Sequence, residues 1–232
     1  MDYVGADAFA RLLCDDKSLA RDFARRVGFE VPSAVLADTA EDQAKLDEMD
    51  FPVVVKPTIG GMSMGVVKIE IGDNRKLSSV VAQVQHEFKC SALVERFAPG
   101  REVMIVLLGR GDNPDLCCAT EIYRLDDEQW FHNRIFSADL KRTMSKAEWG
   151  IRTITHELPA GIIELCHDAF RRLGNIQYLR IDGRLAGDKF TFIEFSPTPH
   201  FWPLTALACA ARDNGFTLAS IVRRLVDLAR TH

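Results

Sequence analysis

Two extended runs near the C-terminus, Tyr178-Leu-Arg180-Ile-Asp182 and Phe192-Ile-Glu194-Phe-Ser196-Pro, flank the turn Leu185-Ala-Gly-Asp188-Lys189. Side chains alternate along a strand, so Arg180 and Asp182 share one face, as do Glu194 and Ser196. A turn centred near Asp188 sets Asp182 opposite Glu194, with Cβ atoms roughly 5 Å apart. Carboxylates that close repel unless a cation lies between them or one is protonated. Two acids and a hydroxyl form an oxygen-only set that suits Mg²⁺, which takes one or two carboxylates and completes its shell from phosphates and water. A surface hairpin with its charges in water is the other reading, and these residues alone leave both open.

The 232-residue chain is long enough for one large domain or two lobes. Apolar residues make up 47% and charged residues 27%, the balance of an ordinary globular protein. A net charge of -4 argues against a general nucleic-acid or membrane-surface binder. No apolar run reaches membrane-span length, and the early acids Asp2, Asp7, Asp15 and Asp16 are unlike a signal peptide. The six cysteines show no C-x-x-C spacing, and Cys117 and Cys118 point to opposite faces of an expected strand. Reduced, buried thiols and a cytoplasmic setting are the expectation.

Asp15 or Asp16 is placed to cap a helix carrying Leu19, Phe23 and Val27 on one face and ending at Gly28. Thr39 and Asp42 resemble a capping box. Phe51-Pro-Val-Val-Val-Lys56-Pro57 reads as a short buried strand. A glycine-bearing loop at 58–65 follows it, then a strand at 66–71 and an amphipathic helix marked by Leu77, Val80, Val81, Val84 and Phe88. Strands are expected at 92–96, 102–108 and 116–123, with helices at 160–173, 204–212 and Leu218–Arg230. Residues 129–149 are polar with poor periodicity, as a mobile loop would be. This order of mixed elements argues for an α+β fold.

In order and spacing these pieces resemble the ATP-grasp region of D-alanine–D-alanine ligases. Tyr3-Val-Gly5, Asp16-Lys17, Gly28-Phe-Glu-Val-Pro32, Phe51-Pro-Val-Val-Val-Lys56-Pro57 and Gly61-Met-Ser63-Met-Gly65 carry the first half of the resemblance. Val94-Glu95-Arg96-Phe97, Gly100-Arg-Glu102, Leu158-Pro-Ala160, Arg180-Ile-Asp182 and Glu194-Phe-Ser196-Pro carry the rest. The resemblance implies two α+β lobes, residues 1–94 and 95–232, with a nucleotide cleft between them.

It further implies that Lys17 and Lys56 hold the phosphates of ATP, a task that suits ammonium point charges. Without the family, Lys17 reads as a solvated helix lysine, whereas a lysine ending a Val-Val-Val strand needs a partner or water. Gly61, Ser63 and Gly65 match a loop that folds over the phosphates. Glu95, Arg96, Phe97 and Ala98 match the segment at the adenine, and Glu102 the acid that accepts the ribose hydroxyls. Asp182, Glu194 and Ser196 match the Mg²⁺ ligands, with Arg180 stabilising the oxyanion. The implied reaction is ADP-forming amide synthesis through an acyl-phosphate.

Three departures stand out. The family's E-x-N metal motif reads Glu194-Phe-Ser196, exchanging an amide oxygen for a hydroxyl. Its Pro-Gly turn reads Pro199-His200, which leaves His200 to face the acceptor substrate or to fill space; Thr205 is the candidate for the second substrate's carboxylate. Met1 stands just before Tyr3, where these ligases carry a preceding α/β domain, so that domain is expected from a partner or absent. A homodimer is a further expectation. Lys141 is the first choice, ahead of Arg134 and Arg142, for the family's γ-phosphate lysine, with Ser63 beside it as a catalytic candidate. The reading from a different class is a non-catalytic ATP-binding module or one half of a split ligase.

Overall fold

The computed structural model describes residues 3–39, 42–70, 74–111, 113–143, 145 and 147–230. Helices α1 (Ala8–Asp15) and α2 (Lys17–Val27) open the chain, followed by β1 (Ala34–Ala37), α3 (Asp42–Asp47), β2 (Val53–Pro57), β3 (Val67–Ile69), α4 (Asn74–Phe88) and β4 (Ala92–Arg96). Then come β5 (Arg101–Leu108), β6 (Leu116–Arg124), α5 (Ala138–Thr143) and β7 (Trp149–Thr153). A 3₁₀ turn, α6 (Ile162–Arg172), β8 (Tyr178–Ala186), β9 (Lys189–Ser196), α7 (Ala206–Asp213) and α8 (Leu218–Arg230) complete it. The α+β expectation holds. The expected strand at 66–71 runs in part outside the described residues.

A four-stranded antiparallel sheet, order β1-β4-β2-β3, forms the small lobe. Val53, Val55, Ile69 and Val94 turn one face of it onto α3 and α4, where Leu46, Leu77, Val81 and Val84 close the core. The opposite face carries Lys56 and Glu95, because alternation sends every second residue away from that core.

A five-stranded antiparallel sheet, order β7-β6-β5-β8-β9, forms the large lobe. Val103, Ile105, Leu107, Leu179 and Ile181 bury one face beneath α1, α2 and α6. On the other face, α7 and α8 cover Val106, Leu108, Cys118 and Tyr178. Those two helices leave the remainder of that face, with Glu102, Arg180, Asp182 and Glu194, open toward the small lobe. The adjacent cysteines do face opposite ways, Cys117 toward the first core and Cys118 into the second. All six cysteines are free thiols.

Helix α2 starts where expected: the Asp16 side chain accepts from Ser18 N and Leu19 N, and Gly28 ends the helix at φ 117°. Of the expected face, Val27 and Phe23 pack against the large-lobe core, joined there by Ala20 and Ala24, while Leu19 is exposed. Small residues win because α2 lies close over β9, and Leu19 sits a position off that seam.

Residue 94 lies inside β4, and α1 and α2 pack on the large sheet. The described residues among 129–149 are more ordered than the expected mobile loop. Phe131 is 1% exposed in an aromatic cluster with Trp130, Phe136 and Trp149, and α5 follows it. Clustered rings supplied the order that helical or strand periodicity would have signalled.

Candidate active-site cleft

The hairpin β8–β9 places Asp182 directly opposite Glu194 and Arg180 opposite Ser196. A bulge makes this possible. Below it the pairs are Gly183↔Phe192 and Leu185↔Phe190, so Ile193 is an extra residue. Phe190, Phe192 and Phe195 all enter the same core, and the extra residue turns Glu194 to the opposite, cleft-facing side.

Arg180 grips Asp182 with both ends of its fork, Nε to Oδ1 at 2.6 Å and Nη2 to Oδ2 at 2.7 Å. Burial works against the guanidinium charge, but Asp182 outweighs it and holds the proton more firmly than usual. Among the described residues no hydrogen bond or ion pair reaches the Glu194 carboxylate. The charges acting on Lys17 and Lys141 nevertheless include Glu194, which places it within their field.

From the small lobe, Lys56 Nζ lies 2.6 Å from Glu95 Oε2, and Arg21 Nε lies 3.6 Å from the other oxygen. Lys56 and Glu95 are both buried, so of the two expectations for this lysine, a partner or water, the structure supplies the partner. The Glu95 side chain is thereby engaged with these cations, while Phe97 N donates to Pro52 O at 2.8 Å. Arg96 is exposed at the strand end and Ala98 is half-buried.

Lys17 is not solvated. It is 6% exposed, and its Nζ donates to Gly60 O at 2.7 Å. Its pKa falls below the ordinary 10.5 because burial disfavours the charge; Glu194 opposes that shift and Lys56 adds to it. Gly60 and Gly61 open the loop over this lysine. Met62 and Ser63 both stand at φ 58°, an uncommon left-handed pair, and Gly65 follows at φ 69°. A Cβ at Gly65 would meet the Phe88 ring at 2.5 Å, so only glycine fits there.

Across the cleft, Lys141 Nζ on α5 donates to Ser63 Oγ at 2.8 Å. Partial burial lowers its pKa from 10.5, against the pull of Glu194, Asp182 and Glu102. Glu102 Oε2 lies 2.8 Å from Arg184 Nη2, and burial raises its pKa from 4.5 despite that cation. His200 is held below 6.5 by burial and by the charge of Arg180. The Thr205 hydroxyl is committed locally: it caps α7 by accepting from Ala208 N, and it lies 3.1 Å from His200 O and 3.0 Å from Trp202 O.

Lys17, Lys141, Glu102, Arg180, Asp182, Glu194 and His200 therefore share one electrostatic neighbourhood between the lobes. A cavity of about 570 Å³ opens beside it, lined among others by Lys68, Phe97, Trp130 and Arg134. Of the expected nucleotide residues, Phe97 alone lines that cavity. Arg184 and Lys68 are contributors the sequence expectation missed. Alternation along β8 puts Arg184 on the face of Arg180 and Asp182, a signal that was available.

Mg²⁺ fits this donor set. Asp182, Glu194 and Ser196 offer oxygen only, and Glu194 has no hydrogen bond or ion pair among the described residues. Asp182 would share its oxygens between the ion and Arg180.

The family model described as D-ala D-ala ligase C-terminus matches residues 26–227. The chain belongs to this family. Among its relatives, D-alanine–D-alanine ligase of Bifidobacterium longum (strain DJO10A) is 26% identical over 97% of the chain, and ligase A of Escherichia coli K12 is 24% identical over 99%. The chain spans 60% and 62% of those proteins' lengths. The crystal structure of the Bacillus anthracis D-alanine–D-alanine ligase complexed with ATP superposes with a TM-score of 0.74 at 20% identity, covering 99% of this chain and 70% of that one. The VanG D-Ala:D-Ser ligase of Enterococcus faecalis gives 0.75 at 20% identity, covering 97% and 64%. The two lobes thus form an ATP-grasp fold. No helix among the described residues is long and apolar enough to cross a membrane.

Proposed function

We propose that this chain carries the ATP-dependent step of a carboxylate–amine ligase that joins small amino acids. The observation that carries the reading is the convergence of Lys17, Lys56, Lys141 and Ser63 above an acid pair, Asp182 and Glu194, in one cleft. Three lysines suit a triphosphate, and paired acids suit the divalent ion that accompanies it. Mg²⁺, held by Asp182, Glu194 and Ser196, would neutralise charge on the phosphate oxygens.

One oxygen of a substrate carboxylate attacks the γ-phosphorus, the bond to ADP breaks, and an acyl-phosphate forms. An amine then attacks the acyl carbon, phosphate leaves with that carboxylate oxygen, and the amine proton passes to solvent or base. Lys17 and Lys56 orient the triphosphate, Lys141 draws charge from the transferred group, and Glu102 receives the ribose hydroxyls. Arg180 faces the oxyanion of the second step. Activation is required because a carboxylate is a poor electrophile.

The names of the relatives favour D-alanine as one substrate and D-alanine or D-serine as the other. The remaining length of those relatives would come from a further domain or a partner chain. A second reading, an ATP-binding module without turnover, draws support from Arg180 occupying both Asp182 oxygens. Transfer of ¹⁸O from a labelled substrate carboxylate into phosphate tests the choice. Label in the phosphate supports the acyl-phosphate route, and unlabelled phosphate contradicts it.

A further inference from the structure

Four consecutive carbonyls between β6 and α5 are all taken by protein donors, drawn from both sides of the cleft. Phe131 O and Arg134 O accept from the two Nη atoms of Arg184 at 2.8 and 2.6 Å. His132 O accepts from Gly100 N at 2.8 Å, in the linker between the sheets. Asn133 O accepts from Lys68 Nζ at 2.8 Å, on β3 of the small lobe. Carbonyls of a surface connection are usually left to water, so four in succession bonded this way define a fixed strap rather than a loose loop.

Arg184 is the centre of this arrangement. It is 4% exposed and stands directly opposite Glu102 across the β5–β8 pair. Its Nη1 donates to Gly100 O at 3.0 Å as well as to Phe131 O, and its Nη2 meets Glu102 at 2.8 Å as well as Arg134 O. The guanidinium lies over the Phe97 ring, 5.6 Å from its centroid. A planar fork with five donors can serve acceptors that diverge this widely, and a compact ammonium cannot. One side chain therefore touches the linker, the strap and Glu102 at once.

We propose that Arg184 is a positioning residue: it seats residues 131–134 against the linker, so that α5 delivers Lys141 to Ser63, and it aims Glu102 at the nucleotide. The second half rests on the ATP reading of the cleft; the first half does not. Arg184 thereby couples the seating of the nucleotide to the placement of Lys141.

The test compares the full chain with Arg184→Met and Arg184→Lys. Amide hydrogen exchange is read over residues 131–143, and affinity is read with a non-hydrolysable ATP analogue. In Arg184→Met, exchange over that segment accelerates at least about tenfold while β5 and β8 stay protected. Nucleotide affinity falls about tenfold, because Glu102 loses the cation that holds it. Arg184→Lys keeps a charge beside Glu102 and recovers most of the affinity, yet the segment still exchanges fast. That split is the signature of positioning, since a general loss of stability would move every strand together.

Native exchange over 131–143 in Arg184→Met, or slow exchange restored by lysine, would overturn the proposal. Should Arg184→Met fail to fold, Arg184→Lys decides the exchange result by itself. If the unaltered protein binds no nucleotide, the ATP reading fails while the exchange comparison still decides the strap.

Discussion

Lys141 and Ser63, 78 residues apart, meet at 2.8 Å and close the cleft from opposite lobes. Neither element is long: Lys141 rides on a six-residue helix and Ser63 on a loop with left-handed backbone. Replacing Lys141 by Met removes the charge and the donor together, and phosphate release should fall on the order of a hundredfold. Ser63→Ala should cost less, about tenfold, because glycine-loop amides remain. Steady-state kinetics of both variants check the order; a larger loss for Ser63→Ala would contradict it.

Glu194 and Asp182 are expected to behave differently although they face each other. Glu194 has no hydrogen bond or ion pair among the described residues, so Glu194→Gln should leave stability within about 0.5 kcal/mol of the parent. Asp182→Asn strips the half-buried Arg180 of its counter-charge and should cost about 2 kcal/mol. Both should abolish Mg²⁺-dependent turnover. Urea denaturation alongside activity separates the two, and equal stability losses would refute the distinction.

The small-lobe pair behaves asymmetrically as well. Glu95→Gln leaves Lys56 buried without its acid, at a cost of about 3 kcal/mol. Lys56→Met leaves Glu95 still facing Arg21 at 3.6 Å and should cost clearly less. Thermal or chemical unfolding of the two variants decides, with a larger loss in Lys56→Met as the contrary result.

Lys17 should give binding and folding opposite alkaline slopes. Its pKa is lowered from 10.5, so the free protein loses this charge at a lower pH than an ordinary lysine does. Affinity for ATP should then fall as pH rises through that lowered value. Stability should rise over the same window up to 10.5, because the unfolded chain keeps the proton longer. Titrating affinity and unfolding from pH 7 to about 10 tests this, with Lys17→Met reducing both slopes to the part that Lys141 contributes. A flat affinity profile in the parent would contradict it.

The hairpin shows what was legible in the sequence and what was not. Alternation placed Arg180 beside Asp182, and a turn near Asp188 placed Asp182 opposite Glu194, as observed. The strands below the bulge pair around a centre half a residue earlier, at Gly187–Asp188, and only the extra residue Ile193 restores the Asp182–Glu194 match. A strict period of two has no place for that insertion. Phe190, Phe192 and Phe195 were its trace, since three rings at that spacing cannot share one face without it.

Lys17 was legible only through the family, because helical periodicity registers a lysine as solvated and cannot see the loop that descends over it. Arg184 and the strap escaped for a related reason. Alternation along β8 gave the face of Arg184 but not its partners, because three of the four are backbone carbonyls, which carry no sequence signature. Helix α1 escaped because it turns Phe9 and Leu12 outward, 62% and 64% exposed, against the usual sense of an apolar face.

The central claim is that this cleft couples ATP cleavage to amide formation. The most direct measurement is Mg²⁺-dependent phosphate release from ATP in the presence of D- and L-amino acids, singly and in pairs, with products identified by mass. The account predicts release that depends on one pair and an amide product in equal amount. ATP bound without release on any pair, or release with no amide formed, would contradict it.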